Sequence, residues 1–213
     1  MDQNTAFVTQ RHIEKTLDNL KKNRMNGYYA DNQEAMMKIL NDLCTKGSTV
    51  SVGGSMTLFE TGIINWLRNE DFIFWDRYAE GLTKEDITKI YRKSFGANYY
   101  FTSTNALTEE GELVNIDGNG NRVASMIYGP DKVIVIAGVN KLVKDEAAAY
   151  ERLRNFAAPS NSVRLSRKTP CATTGQCSNC KSPERICASY ATIRWQTRPD
   201  RIHVILVNEN LGY

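Results

Sequence analysis

Cysteine is scarce in this chain, with five among 213 residues, and histidine is scarcer, with two. His12 and His203 stand far apart, one in a helical pattern and one in a strand pattern. No Ser/His/Asp or Cys/His catalytic motif can be drawn around either, and each reads as a structural residue. Long apolar runs are also missing. No window approaches the roughly 18 consecutive apolar residues of a bilayer-spanning helix. The first segment, MDQNTAFVTQRHIEKTLDNLKKN, is polar and amphipathic and lacks the apolar centre of a secretory signal. A cytoplasmic protein is therefore expected, and paired disulfides are a poor default there. Neither the Walker phosphate loop nor G-x-G-x-x-G occurs, so there is no nucleotide signature. There is no internal repeat and no low-complexity tract.

Charge of neither sign dominates. Lys and Arg number 27 against 24 Asp and Glu, a net of +3. The balance is uneven, because residues 151–213 hold ten of the basic residues and four of the acidic ones. These basic residues are scattered among prolines and cysteines and form no run, so a nucleic-acid partner is not expected. An apolar fraction of 41% at this length suffices for a core of its own. A single domain over 1–213 is expected, with a cysteine-rich segment at about 165–190.

Apolar periodicity orders the rest. Residues 5–23 form an amphipathic helix with Phe7, Val8, Ile13, Leu17 and Leu20 near one face. NGYY reads as a turn, followed by a helix from about Asp31 to Lys46, with Cys44 as a small buried hydrophobe. STVSVGG is a strand, TLFETGIINWLRNE a helix and DFIFWDRY a strand. LTKEDITKIYRKSFG is a helix with Thr83 as its N-cap. ANYYFTSTNAL is a strand running into a polar loop. The stretch around DGNGN alternates apolar and polar residues on both sides, a hairpin signature. DKVIVIAG is a buried strand, KDEAAAYERLRNFAAP a helix ended by Pro159, and DRIHVILVNENLGY a last strand. Strands alternating with helices at this spacing predict an α/β fold with a mostly parallel sheet covered on both faces.

Gly53 and Gly54 end the first of these strands. In open α/β sheets ligands bind at the carboxyl ends of strands. Glycines permit close backbone approach to an anion, and Ser55 and Thr57 add hydroxyls. Thr57-x-x-Glu60 also has the form of a capping box, which explains both residues without a ligand. Glu60 is otherwise a weak catalytic candidate. Two further loops, one with Thr104, Asn105, Asp117 and Asn119 and one with Gly138, Asn140 and Lys141, are expected to border the same cleft, where Lys141 could meet a phosphate or carboxylate. Turn chemistry for Asn119 and solvent exposure for Lys141 are the plainer readings.

The remaining four cysteines, Cys171, Cys177, Cys180 and Cys187, lie in CATTGQCSNCKSPERIC with spacing C-x5-C-x2-C-x6-C. In a cytoplasmic chain such a group reads as metal ligands more readily than as disulfides or idle thiols. Arg167, Lys168, Lys181 and Arg185 are placed to offset thiolate charge. The spacing matches neither a zinc ribbon nor a ferredoxin run, so it leaves zinc and an iron–sulfur cluster both open.

SVGGSMTLFETGI, the stretch from FTSTNALTEEGELVNIDGNG to IAGVNKLV, and the cysteine segment together resemble the LUD domain, or lactate-utilisation, family over nearly the whole chain. The resemblance implies the three-layer α/β fold of ribose-5-phosphate isomerases and CoA transferases. It implies a role as an accessory in oxidation of L-lactate or a similar small acid, with a small anionic metabolite and other lactate-oxidation subunits as partners. It tips the cysteine quartet toward a [4Fe–4S] cluster, with Zn2+ as the alternative. The chain departs from the family's larger members, which carry a separate ferredoxin-like domain. The Ser-Glu-x-Gly motif of CoA transferases is absent, which counts against CoA transfer. The alternative, read from the residues alone, is a protein or enzyme that binds a phosphate- or carboxylate-bearing metabolite and holds structural zinc.

Overall fold

The structure is a computed structural model and describes residues 2–213. The chain opens with α1 (Gln3–Lys22), capped by Asp2, whose carboxylate accepts from the Asn4 and Thr5 amides. Its buried stripe is Ile13, Thr16 and Leu20. Phe7 and Val8, expected on that face, are exposed, because the first two turns of α1 bury nothing. The NGYY turn is instead β1 (Asn26–Ala30). Gly27 lets this strand approach α1, since a Cβ there would stand 2.9 Å from Leu17. Next come α2 (Gln33–Leu43), β2 (Thr49–Val52), α3 (Met56–Glu60) and α4 (Ile63–Asn69). The single helix expected after β2 is two, because Gly62 sits between them in the left-handed region at φ 70°.

The order continues through β3 (Ile73–Trp75), α5 (Lys84–Lys93), β4 (Tyr99–Thr102), β5 (Ala106–Thr108), β6 (Leu113–Asp117), α6 (Asn121–Ile127) and β7 (Lys132–Gly138). Thr83 caps α5 in a capping box with Asp86. A hairpin exists, but its turn lies between β5 and β6, at Gly111, and not at DGNGN. Asp117 Oδ1 accepts from the Gly120 amide at 2.8 Å, and left-handed Gly120 turns the chain into α6.

After β8 (Leu142–Val143), α7 (Glu146–Arg152) runs through a π turn at Leu153–Ala157 into α8 (Ala158–Arg164). Pro159 therefore does not end a helix. It sits in the first turn of α8, where its missing amide costs little. The stretch 160–200 also holds α9 (Pro170–Thr174) and β9 (Ser189–Ile193), before β10 (Ile202–Val207).

Six strands form one parallel sheet in the order β1-β10-β7-β4-β2-β3. The strands alternate between two cores, as period-2 side chains must. Ile134, Ile136, Ile205 and Val207 face Met36 and Leu40 of α2, Leu58 of α3 and Leu67 of α4. Val133, Val135, Val204 and Leu206 face Ile13 and Leu20 of α1 and Met126 of α6. This is the three-layer α/β arrangement.

A second, four-stranded sheet, β8-β5-β6-β9, which the sequence pattern does not predict, stands beside the large one. Its strands are short, and β6 finds β9 as an antiparallel partner far along the chain. Ala106, Val114 and Ile116 of this sheet pack on Ala149 of α7, Leu153 and Ala158. Cys44 is buried at the end of α2, and burial pushes its thiol up to about 12, an inert core residue. Among the described residues no helix is long and apolar enough to cross a membrane.

A candidate anion-binding cleft

Four adjacent strands of the large sheet, β7, β4, β2 and β3, release their loops at one carboxyl edge. Each loop contributes to one cleft of about 440 Å³: Lys141 after β7, Ser103, Thr104 and Asn105 after β4, Gly54 to Thr57 after β2, and Arg77 after β3. That volume falls in the usual range for small-ligand pockets, roughly 300–1,000 Å³. The second sheet and α6 add Asp117, Asn119 and Arg122, and α8 adds Asn161 and Arg164. The fourth wall is the cysteine segment, through Arg167, Glu184, Arg185 and Ile186.

Eight of the twelve sequence candidates outside the cysteines thus surround one space: Gly54, Ser55, Thr57, Thr104, Asn105, Asp117, Asn119 and Lys141. Gly53, Glu60, Gly138 and Asn140 are outside its lining. The Gly53 amide donates to Phe101 O at 2.8 Å and so belongs to the sheet. A Cβ at Gly53 would stand 2.9 Å from Arg122 Cγ and Thr102 Oγ1, so glycine here makes room for the buried arginine. Gly138 is hemmed in by Glu209, Asn140 and Leu211. Asn140 accepts from Leu211 N at 3.0 Å and donates to Gly212 O at 3.2 Å, and Glu60 accepts from Gly212 N at 2.6 Å. Both side chains pin the segment after β10.

Thr57 and Glu60 form no capping box. Ser55 is the N-cap of α3, with Oγ accepting from Leu58 N at 3.4 Å. Thr57 is fully buried and accepts from Lys141 Nζ at 2.9 Å. The exposed reading of Lys141 also fails, since the residue is 2% exposed. Its second partner is Ser103 Oγ, at 2.8 Å. Burial, with Arg152 and Arg122 nearby, holds its amine down to about 7, and Glu60 opposes weakly.

Sequence reasoning missed Arg77, Ser103, Arg122 and Arg164 and gave Arg167 and Arg185 only a charge-balancing role. Arg122 is buried and donates to Asn115 Oδ1 at 2.7 Å, to Ser103 O and Asn105 Oδ1 at 2.8 Å, and to Ile116 O at 3.0 Å. Asp117 lies 3.5 Å from its Nε. It is the rivet between the sheets. Arg77 stacks on Tyr78 and Tyr91, with its guanidinium 5.1 and 4.6 Å from the ring centres. Its Nε is buried with no partner, and so is that of Arg185. Arg185 spends its other nitrogens on Cys180 O at 2.8 Å and Cys187 O at 2.9 Å. Six basic side chains line the cleft (Arg77, Arg122, Lys141, Arg164, Arg167, Arg185) against two acidic ones, Asp117 and Glu184. One rule could have found Arg77: it follows a strand directly at the ligand-binding edge.

The cysteines sit on separate supports. Cys171 lies in α9, with Sγ 3.4 Å from Thr169 Oγ1 and 3.7 Å from Ser162 Oγ. Cys187 packs against the third core cluster near β9. All four are free thiols, each half-buried. Four thiols are suitable donors for zinc or an iron–sulfur cluster. Among the described residues, however, no three His, Cys, Asp or Glu side chains stand together to hold a metal. As arranged, the quartet does not make a coordination site. The histidines are structural in placement: His203 is buried and stacks on Tyr28, and His12 pairs with Glu109.

Known proteins point the same way as the topology. A crystal structure of a DUF162 family protein from Deinococcus radiodurans superposes with a TM-score of 0.54 at 14% identity, covering 94% of this chain and 98% of that one. That likeness concerns the fold alone. No curated protein matches the chain. The family model for the LUD domain matches residues 13–207, both sheets and every wall of the cleft included, and the chain belongs to the LUD domain family.

Proposed function

We propose that the cleft binds a small carboxylate-bearing metabolite and that the protein serves, as an accessory subunit, the oxidation of L-lactate or a similar small acid. The carrying observation is Arg77, a guanidinium held between two tyrosine rings with a buried, unpartnered Nε at a cleft of six cations and two carboxylates. A buried donor without an acceptor is costly, and the terminal nitrogens of the same guanidinium, with Nη1 beside exposed Gly54, can take a carboxylate in charge-assisted hydrogen bonds. Membership of the LUD domain family supports the choice of a small hydroxy or oxo acid.

The finer reading, a [4Fe–4S] cluster on Cys171, Cys177, Cys180 and Cys187 with zinc as the alternative, rests on donor chemistry. Much of the segment between α9 and β9 lacks regular structure, so its thiols can be gathered without disturbing the large sheet.

The test is thermal unfolding with L-lactate or pyruvate against chloride at equal ionic strength. Either acid should raise Tm in the wild type, and Arg77→Leu should lose that rise. Equal protection by chloride overturns the reading.

A further inference from the structure

Lys141 is the most buried cation of the cleft and has the least conventional surroundings. Buried lysines are ordinarily matched by a carboxylate, because an unpaired buried ammonium is expensive. Here both side-chain partners are neutral hydroxyls, Thr57 Oγ1 at 2.9 Å and Ser103 Oγ at 2.8 Å. Each hydroxyl directs its own proton elsewhere, Thr57 to Leu211 O at 3.4 Å and Ser103 to Thr104 O at 3.3 Å. Both hydroxyls are therefore left to accept from the amine.

Two acceptors satisfy the two N–H bonds of a neutral amine and leave its lone pair without a protein partner. The same two acceptors leave a third N–H of an ammonium unmet. Two of the three charged groups facing Nζ act in the same sense. Arg152 of α7 and Arg122 of α6 disfavour the ammonium, and Glu60 of α3 is the single opposing group. An anion-binding role alone does not account for this, since a cation kept for charge is served better by the arginines, which do not lose their protons.

We propose that Lys141 Nζ is a nucleophile that condenses with the carbonyl carbon of a small 2-oxo acid whose carboxylate is held by the cleft's arginines. The assignment rests on the carboxylate reading of the cleft and adds the substrate's reacting group. The nitrogen lone pair forms the C–N bond while the C=O π pair moves to oxygen. One N–H proton transfers to that oxygen and gives a carbinolamine. The C–O bond then breaks, and the oxygen leaves as water with the second proton. The product is an imine between Lys141 and the substrate, and neither oxidant nor reductant is consumed. Once protonated on nitrogen, the imine withdraws electrons from the adjoining substrate carbons more strongly than the ketone does. A 2-hydroxy acid, with a hydroxyl in place of the ketone, enters the same cleft but cannot form the bond.

The experiment uses the full chain with pyruvate and sodium cyanoborohydride, read by intact mass and by peptide mapping. The expected result is one reduced pyruvate adduct per chain, located on Lys141. It should form roughly tenfold faster at about pH 8 than at about pH 6, as the free-amine fraction requires. L-lactate should give no adduct but should compete with pyruvate. Lys141→Arg should form none, and mapping on the wild type decides the site even if that variant fails to fold. Adduct spread over surface lysines, or no adduct while pyruvate and L-lactate still raise Tm, overturns the nucleophile and leaves the carboxylate cleft standing. If neither acid raises Tm and no adduct forms, the carboxylate reading fails first and carries this inference with it.

Discussion

Arg122 Nη1 donates to Asn115 Oδ1 at 2.7 Å, and this bond ties helix α6 to the inner strand of the second sheet. The same guanidinium reaches Ser103 and Asn105 in the loop after β4, so one side chain fixes the spacing between that loop and the wall made by α6 and the second sheet. Arg122→Met keeps the aliphatic volume but leaves four acceptors and the Asp117 carboxylate without their donor. It should cost about 3 kcal/mol. Denaturant unfolding checks this, and a loss below about 1 kcal/mol would show that the rivet is dispensable.

The glycine pair after β2 divides its work between packing and access. Gly53→Ala forces a Cβ to within 2.9 Å of Arg122 and Thr102, and should destabilise by about 1–3 kcal/mol through overpacking. Gly54 is exposed, and the nearest atom to an added Cβ there is Arg77 Nη1, at 3.5 Å. Gly54→Ala should therefore leave stability within about 0.5 kcal/mol of wild type. A bulkier Gly54→Val should weaken pyruvate protection by crowding Arg77. Equal stability of the two alanine variants, read in parallel melts, contradicts this division.

Lys141 makes folding stability depend on pH in a defined window. Its amine titrates near 7 when folded, against 10.5 as the ordinary value. The unfolded chain thus binds more protons between those limits, and this group's contribution to stability rises with pH across them. Below the lower limit the cost of burying the charge is present in full. Lys141→Met removes that dependence. The variant's Tm relative to wild type should be highest at about pH 6 and should fall steadily toward about pH 9. A constant difference would place the amine's folded titration outside this window.

The large sheet was legible because its strands are continuous apolar runs such as VIVIAG and HVILV, which only a sheet covered on both faces can bury. The order of strands and loops also pointed to the correct edge for the cleft. Long-range pairing was not legible. Each of the two pairings of β5 spans only two residues, and the second partner of β6 lies beyond the cysteine segment. Thr57-x-x-Glu60 shows how a local motif misleads. The spacing fits a capping box, but Lys141 claims the hydroxyl and Gly212 the carboxylate, both from distant parts of the chain. The buried state of Lys141 had no local signature either, since a lysine after a strand is ordinarily solvated.

The cysteine segment is coupled to the cleft through one residue. Arg185 lines the cleft, and its two terminal nitrogens hold the carbonyls of Cys180 and Cys187. Any change that draws the four thiols together must move those carbonyls and, with them, Arg185. Anaerobic reconstitution with ferrous iron and sulfide should therefore give broad visible absorbance and should also alter the Tm rise produced by pyruvate. Cys180→Ala should lose the iron and the absorbance while the sheet stays folded, because Cys180 belongs to none of the three cores. Stoichiometric zinc in a colourless protein would select the zinc alternative. Uptake of neither metal by the wild type, or full reconstitution by Cys180→Ala, would remove the quartet as a metal site and leave the arginine-lined cleft unaffected.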